Sequence, residues 1–153
     1  MKMQGIMLAA AMGALPLSPV VAHAGSVQVG DINSADINAQ NMDGCGLSLS
    51  RASVWRNAKD FEGPYIFVDN GSDAIVRLDG EIVRLTQTND KRDMLSSGPT
   101  RDTYTNADGT ISVTENTHTT KVFGDELWWV SGKLTVTVKG KTEVFAVKGE
   151  GGC

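Results

Sequence analysis

Downstream of Cys45, apolar and polar residues alternate with period two. Turn-forming pairs such as Asn70-Gly71, Asp79-Gly80 and Gly124-Asp125 interrupt the alternation at short intervals, and no stretch shows an amphipathic helical period. These features predict an all-β chain: a single antiparallel β-sandwich or small β-barrel of seven to nine short strands.

The N-terminus reads as a targeting segment and not as part of that fold. Lys2 supplies one positive charge, an apolar run extends from Ile6 to Leu17, Pro16 and Pro19 close it, and Ala22-His23-Ala24 forms a small-x-small site. That is the layout of a secretory signal peptide spanning residues 1–24 and cleaved after Ala24. The apolar run falls short of the roughly 20 residues a membrane-spanning helix needs. No cysteine stands at the cleavage point to carry a lipid. The expected product is soluble, without a membrane anchor, and periplasmic or secreted in a bacterium.

Residues 25–43 are rich in Asn, Asp, Ser and Ala and offer little apolar surface, so a flexible arm is expected there, followed by an all-β domain over 44–153. In the domain, "GLSLSRA" puts Cys45, Leu47 and Leu49 on one face, and "YIFV" runs from Tyr65 to Val68 into the Asn70-Gly71 turn. In "AIVRLDGEIVRL" a two-residue turn at Asp79-Gly80 pairs Leu78 with Glu81, Val76 with Val83 and Ala74 with Leu85 on a largely apolar face. Ile75, Arg77, Ile82 and Arg84 take the other face. Gln87 to Arg101 lacks periodicity and reads as a long exposed loop. Strands at "DTYT", "TISVT", "TTKVF", "ELWWVSG", "KLTVTVK" and "TEVFAVK" follow.

Export gives the two cysteines a meaning. An oxidising compartment lets disulfides persist, there is no C-x-x-C, and Cys45 and Cys153 are the only possible pair, so a bridge between them is expected. The terminal cysteine then acts as a clasp that brings the last strand back to the first.

Composition excludes more than it selects. The expected mature chain has 13 Lys and Arg against 18 Asp and Glu, a balance that argues against nucleic acid. After cleavage His118 is the sole imidazole, no G-x-S-x-G turn is present, and carboxylate pairs such as Asp90/Asp93 and Asp125/Glu126 lie in turns and loops, so no catalytic residue is assigned. "YTNADGTISVTE" has the Asn, Asp, Gly, Ile and Glu of an EF-hand loop, but Tyr104 stands where the first Asp belongs and the flanks alternate as strands. No metal or other cofactor is expected. Trp128 and Trp129 must point to opposite faces of a strand, one into the core and the other outward, where it could meet a sugar ring or a partner.

The signal, "GCGLSLSR", "IFVDNGSDAIVRLDGEIVRL", the "YTNADG" turn, "GKLTVTVKGK" and the terminal "VKGEGGC" together resemble small exported bacterial β-domain proteins of uncharacterised function. More faintly, the chain is similar to the C-type lysozyme inhibitors, small barrels that insert a Ser-Gly-x-x-Tyr segment into the lysozyme cleft. "SSGPTRDTY" offers Ser97, Gly98 and Tyr104 at a longer spacing. The reading is an exported, soluble, non-enzymatic β-domain that binds an envelope component, such as a glycan, or a protein partner; the alternative is a periplasmic lysozyme or hydrolase inhibitor. Candidate binding residues are Ser97, Gly98, Arg101, Tyr104, Trp128 and Trp129, with the contact expected on the loop from Gln87 to Arg101 and its border with Tyr104.

Overall fold

The computed structural model describes residues 25–56, 62–89 and 99–153. Among them the elements run β1 (Val29–Gly30), α1 (Ser34–Ala39), β2 (Gly46–Arg51), β3 (Phe67–Asp69), β4 (Asp73–Leu78), β5 (Glu81–Gln87), β6 (Thr100–Thr105), β7 (Ile111–Phe123), β8 (Leu127–Val138) and β9 (Lys141–Gly152). Each strand from β2 to β9 pairs antiparallel with its neighbour in sequence, and β9 returns to β2, which closes an eight-stranded barrel. The ninth strand, β1, sits outside the cylinder and extends β4 at Leu78 and Arg77. The expected all-β class is thus met by a barrel and not by a sandwich.

The turns explain the register. Asp79 and Gly80 both have positive φ, as do Lys139 and Gly140, which gives β4–β5 and β8–β9 the two-residue turns whose twist matches that of the strands. The β4–β5 pairs are those expected from sequence: Ala74 with Leu85, Val76 with Val83 and Leu78 with Glu81. Between β3 and β4, the Asp69 carboxylate accepts the Gly71 N–H and the Asn70 side-chain oxygen accepts the N–H groups of Ser72 and Asp73.

Inward side chains fill the cylinder. Leu47, Leu49, Phe67, Val76, Leu85, Tyr104, Val113, Trp128, Leu134 and Val136 form one buried cluster. Phe67 and Tyr104 meet edge-on at 5.4 Å between ring centroids. Trp128 lies opposite Gly151 in the β8–β9 register, and a Cβ on Gly151 would fall inside contact distance of the indole. Gly151 of "VKGEGGC" therefore makes room for an aromatic ring two residues before the bridged Cys153.

The arm over 25–43 departs from the sequence expectation of a flexible, helix-free segment. Asn33 caps α1 in a reciprocal box: its side chain accepts the Asp36 N–H at 3.1 Å, and the Asp36 carboxylate accepts the Asn33 N–H at 3.0 Å. Ile32 and Met42 are buried against Tyr65, Val68 and Ile75, forming a second core on the outer wall of the barrel. A six-residue helix is not stable alone, so burial of its flanking apolar residues holds it. The hairpin arginines clamp the same arm. Arg77 bonds Asp36 at 2.7 Å and the Asp31 carbonyl at 2.9 Å, and Arg84 donates to the Gln40 carbonyl at 2.7 Å. The Asn33 amide, and after it Arg77, holds the Asp36 carboxyl below its ordinary range.

Cys45 and Cys153 are bridged across 108 residues of sequence. Loop-closure entropy assigns a bridge of that span about 4 to 5 kcal/mol. Thiol titration of the unreduced, denatured protein should find no free thiol, and reduction should lower the urea-unfolding free energy by most of that amount. A change below about 1 kcal/mol would show that strand pairing alone closes the barrel. Gly151→Ala should cost about 1–3 kcal/mol by overpacking, and Trp128→Phe in the same chain should recover part of the loss. Unchanged urea midpoints in Gly151→Ala would contradict the packing described.

Candidate functional site

The outer wall presents its most concentrated chemistry where β7, β8 and β9 run side by side. Along β7 the inward positions Val113, Glu115, Thr117 and Thr119 face Val136, Leu134, Gly132 and Val130 of β8. Between Thr119 and Lys121 the register then slips by one residue, and Lys121 faces Trp129. Without that bulge, Lys121 and Phe123 would share the inward parity of Thr119. The extra residue turns both onto the outer wall.

Three aromatic rings gather there. Trp129 meets Phe123 edge-on at 4.7 Å and Trp55 at 6.2 Å between centroids. Trp55 is carried by the turn after β2, in which the N–H groups of Val54 and Trp55 both bond the Arg51 carbonyl. The Lys121 ammonium stands 4.7 Å from the Phe123 centroid and 5.2 Å from that of Trp129, a cation–π arrangement worth about 0.5–1 kcal/mol at an exposed site. Trp55, His118, Lys121, Trp129, Ser131 and Lys148 line a cleft of 380 Å³. The Trp129 Nε1–H is shielded from solvent and finds no acceptor among the described residues.

His118 and Ser131 are cross-strand partners in this cleft, a base facing a hydroxyl. No hydrogen bond joins them, and no carboxylate lines the cleft among the described residues. An activated serine needs a base in hydrogen-bond reach and a third group to orient that base. The arrangement therefore suits binding better than nucleophilic attack.

Two further acid sites border the barrel wall. Asp102 on β6 and Glu115 on β7 are direct partners facing inward, and both are buried. Glu115 accepts from Thr100 Oγ1 at 3.1 Å and Thr117 Oγ1 at 2.8 Å, and Asp102 accepts from Asn89 Nδ2 at 2.9 Å. Closed off from solvent, neither presents an oxygen to a substrate in this state. On the other side of Trp129 its β9 partner Glu150 accepts from the Tyr65 hydroxyl at 3.2 Å. Burial raises the Glu150 carboxyl above its ordinary range, against the opposing pull of that hydrogen bond, and burial followed by the Glu150 charge raises the Tyr65 phenol.

Of the candidate binding residues expected from sequence, Trp129 alone lines the cleft; His118, noted from sequence as the remaining imidazole, lines it beside Trp129. Trp128 belongs to the core, and Tyr104, fully buried against Phe67, presents no surface at a loop border. Arg101 is exposed on strand β6 opposite Asn116, not in a loop. Ser97 and Gly98 lie outside the described residues, as does the expected signal at 1–24. The EF-hand-like stretch splits: Asp108 accepts from Thr110 in the β6–β7 turn, whereas Glu115 points into the barrel. Among the described residues no three His, Cys, Asp or Glu side chains cluster to hold a metal. Trp55, Thr120, Lys121, Val130, Ser131 and Lys148 are the cleft residues that the sequence did not single out.

Because folding raises the Glu150 pKa, the folded state holds its proton more tightly than the unfolded chain. The associated stability is complete below the unfolded value of about 4.3 and is lost as pH rises through the folded value. Glu150→Gln, neutral throughout, should therefore gain on the parent protein as pH rises above about 4 and through the raised folded value, read as a growing difference in urea midpoints. A difference independent of pH would refute this.

Comparison with protein-family models, with curated proteins and with solved structures finds no match to this chain.

Proposed function

We propose that this protein is an exported, soluble, non-enzymatic β-barrel that binds an envelope component or a protein partner through the cleft at Trp129. The observation that carries the reading is the β7 bulge, which brings Lys121 and Phe123 to the same outer wall as Trp129. A bulge that re-aims side chains into a cleft of aromatic and cationic groups costs ladder regularity without adding to the barrel core. Aromatic rings and long cations on rigid strands are the residue types that dominate recognition surfaces. The signal-like N-terminus and the Cys45–Cys153 bridge support export.

The inhibitor alternative draws on the likeness of a disulfide-clasped barrel to the C-type lysozyme inhibitors. Tyr104 counts against it, because a tyrosine buried in the core is not available for insertion into another protein's cleft. Immobilised lysozyme serves as the direct probe of that alternative.

Retention of the purified protein on peptidoglycan sacculi and on an envelope membrane fraction tests the main reading. Trp129→Ala should weaken retention by about tenfold or more while the protein still melts cooperatively, as expected of a central aromatic contact. Replacing residues 95–99 with Gly and Ser should leave retention intact. The opposite pattern would move the binding surface to the β5–β6 connection.

A further inference from the structure

The cleft's charge is the reverse of the chain's. The sequence has 18 acidic residues against 14 lysines and arginines, yet the charged groups lining the cleft among the described residues are Lys121 and Lys148. His118, Thr120 and Ser131 add polar groups able to donate hydrogen bonds, and Trp129 and Trp55 supply the apolar surface. We propose that this cleft binds an anionic sugar residue, its ring against Trp129 and its acidic group held between Lys121 and Lys148. The proposal rests on the binding reading above and names its ligand class.

Three features select this chemistry over its neighbours. Two lysines in an otherwise acidic chain form a point of positive charge and not the continuous basic stripe that a polyphosphate backbone requires, so the anion is local. A purely apolar ligand would leave Lys121, Lys148 and the Ser131 hydroxyl facing it without partners, which is costly where water is excluded. A simple inorganic anion would use the cations but not the aromatic wall. A sugar ring bearing an acid uses both: its C–H faces suit an indole surface, its hydroxyls meet Ser131 and Thr120, and its charge meets the ammonium groups.

The site is also set up to discriminate. Its floor residues stand on paired strands, so Trp129, Ser131 and Lys148 keep fixed spacing across the β8–β9 ladder, where Ser131 faces Lys148 directly. Lys121 is exposed, and its ammonium now rests over two aromatic rings. An incoming anion offers it a stronger partner than those rings, so binding moves one flexible side chain and leaves the backbone in place.

Isothermal titration of the purified, oxidised protein with trigalacturonic acid, with cellotriose as its neutral counterpart and with inorganic phosphate tests the proposal. Trigalacturonic acid should bind at least about tenfold more tightly than cellotriose, and added salt should narrow the difference. The double variant Lys121→Ala/Lys148→Ala changes two exposed side chains; it should lose the preference while still melting cooperatively, within a few degrees of the parent. Equal binding of both trisaccharides, insensitive to the lysines, would overturn the anionic assignment yet leave a glycan-binding cleft. Phosphate binding as tightly as the uronate would overturn the sugar assignment. No heat with any of the three would overturn the proposal outright, and retention of the protein on sacculi and membranes would then judge the broader binding reading separately.

Discussion

Strand β9 meets β2 along six residue pairs, Gly46 to Arg51 against Gly152 to Val147, and this seam turns a meander into a cylinder. Closure fixes the interior radius that every inward side chain must fill, because strand number and stagger together set the width of a barrel. The seam also removes the two strand edges that an open sheet would expose to other chains. The Cys45–Cys153 bridge lies immediately outside its last pair and acts on the unfolded chain, where it makes the encounter of the two ends far less improbable. Glycine density in β9 follows from the same constraint. At the seam the Trp128 ring occupies the space that a side chain on Gly151 would need.

Once the interior is full, the outer wall is free to specialise, and it does so in two directions. Around β3 and β4 the outward residues Val68 and Ile75 are apolar and are covered by the arm, whose helix Arg77 and Arg84 hold in place. Around β7 to β9 the outward residues Trp129, Ser131 and Lys148 are left uncovered by the arm and bordered by Trp55. Glu150 lies between the two regions. It is bonded to Tyr65 of the arm-covered core and is cross-strand from Trp129. A charge placed there is disfavoured by burial, so the carboxyl links the packing of the arm to the electrostatics beside the cleft.

Much of the barrel was legible in the sequence because strand alternation and turn chemistry are local. The Asp79-Gly80 register could be read to the residue, since a two-residue turn leaves one way to pair the flanking strands. The bridge could be read because the sequence holds two cysteines, and the expected export to an oxidising compartment leaves each the other as its intrachain partner. The arm was not legible. Its larger apolar residues Val27, Val29, Ile32, Ile37 and Met42 match no single helical or strand period, and they become informative only against the wall they cover. Tyr104 was misread as a loop border because β6 begins at Thr100, and Asn89 already hydrogen-bonds Thr103 across to it. The cleft was half legible: adjacent tryptophans must face opposite ways, but only the three-dimensional fold brings Trp55 and Lys148 to the one that faces out.

The adjacent pair Trp128 and Trp129 shows how one strand separates stability from recognition. Trp128 fills the interior opposite Gly151, so its size is fixed by packing, and interior overpacking or cavities cost several kcal/mol. Trp129 rests on the outer wall, where Phe123, Trp55 and Lys121 surround it without closing a core. An outward aromatic can therefore be exchanged at modest cost to the fold, whereas its inward neighbour cannot. The bulge at Thr120 applies the same separation to β7. Residues up to Thr119 obey the barrel, and those from Lys121 onward are released to face the cleft. Parity along two adjacent strands, shifted once, is enough to place a cationic and aromatic surface on a barrel whose interior is already committed.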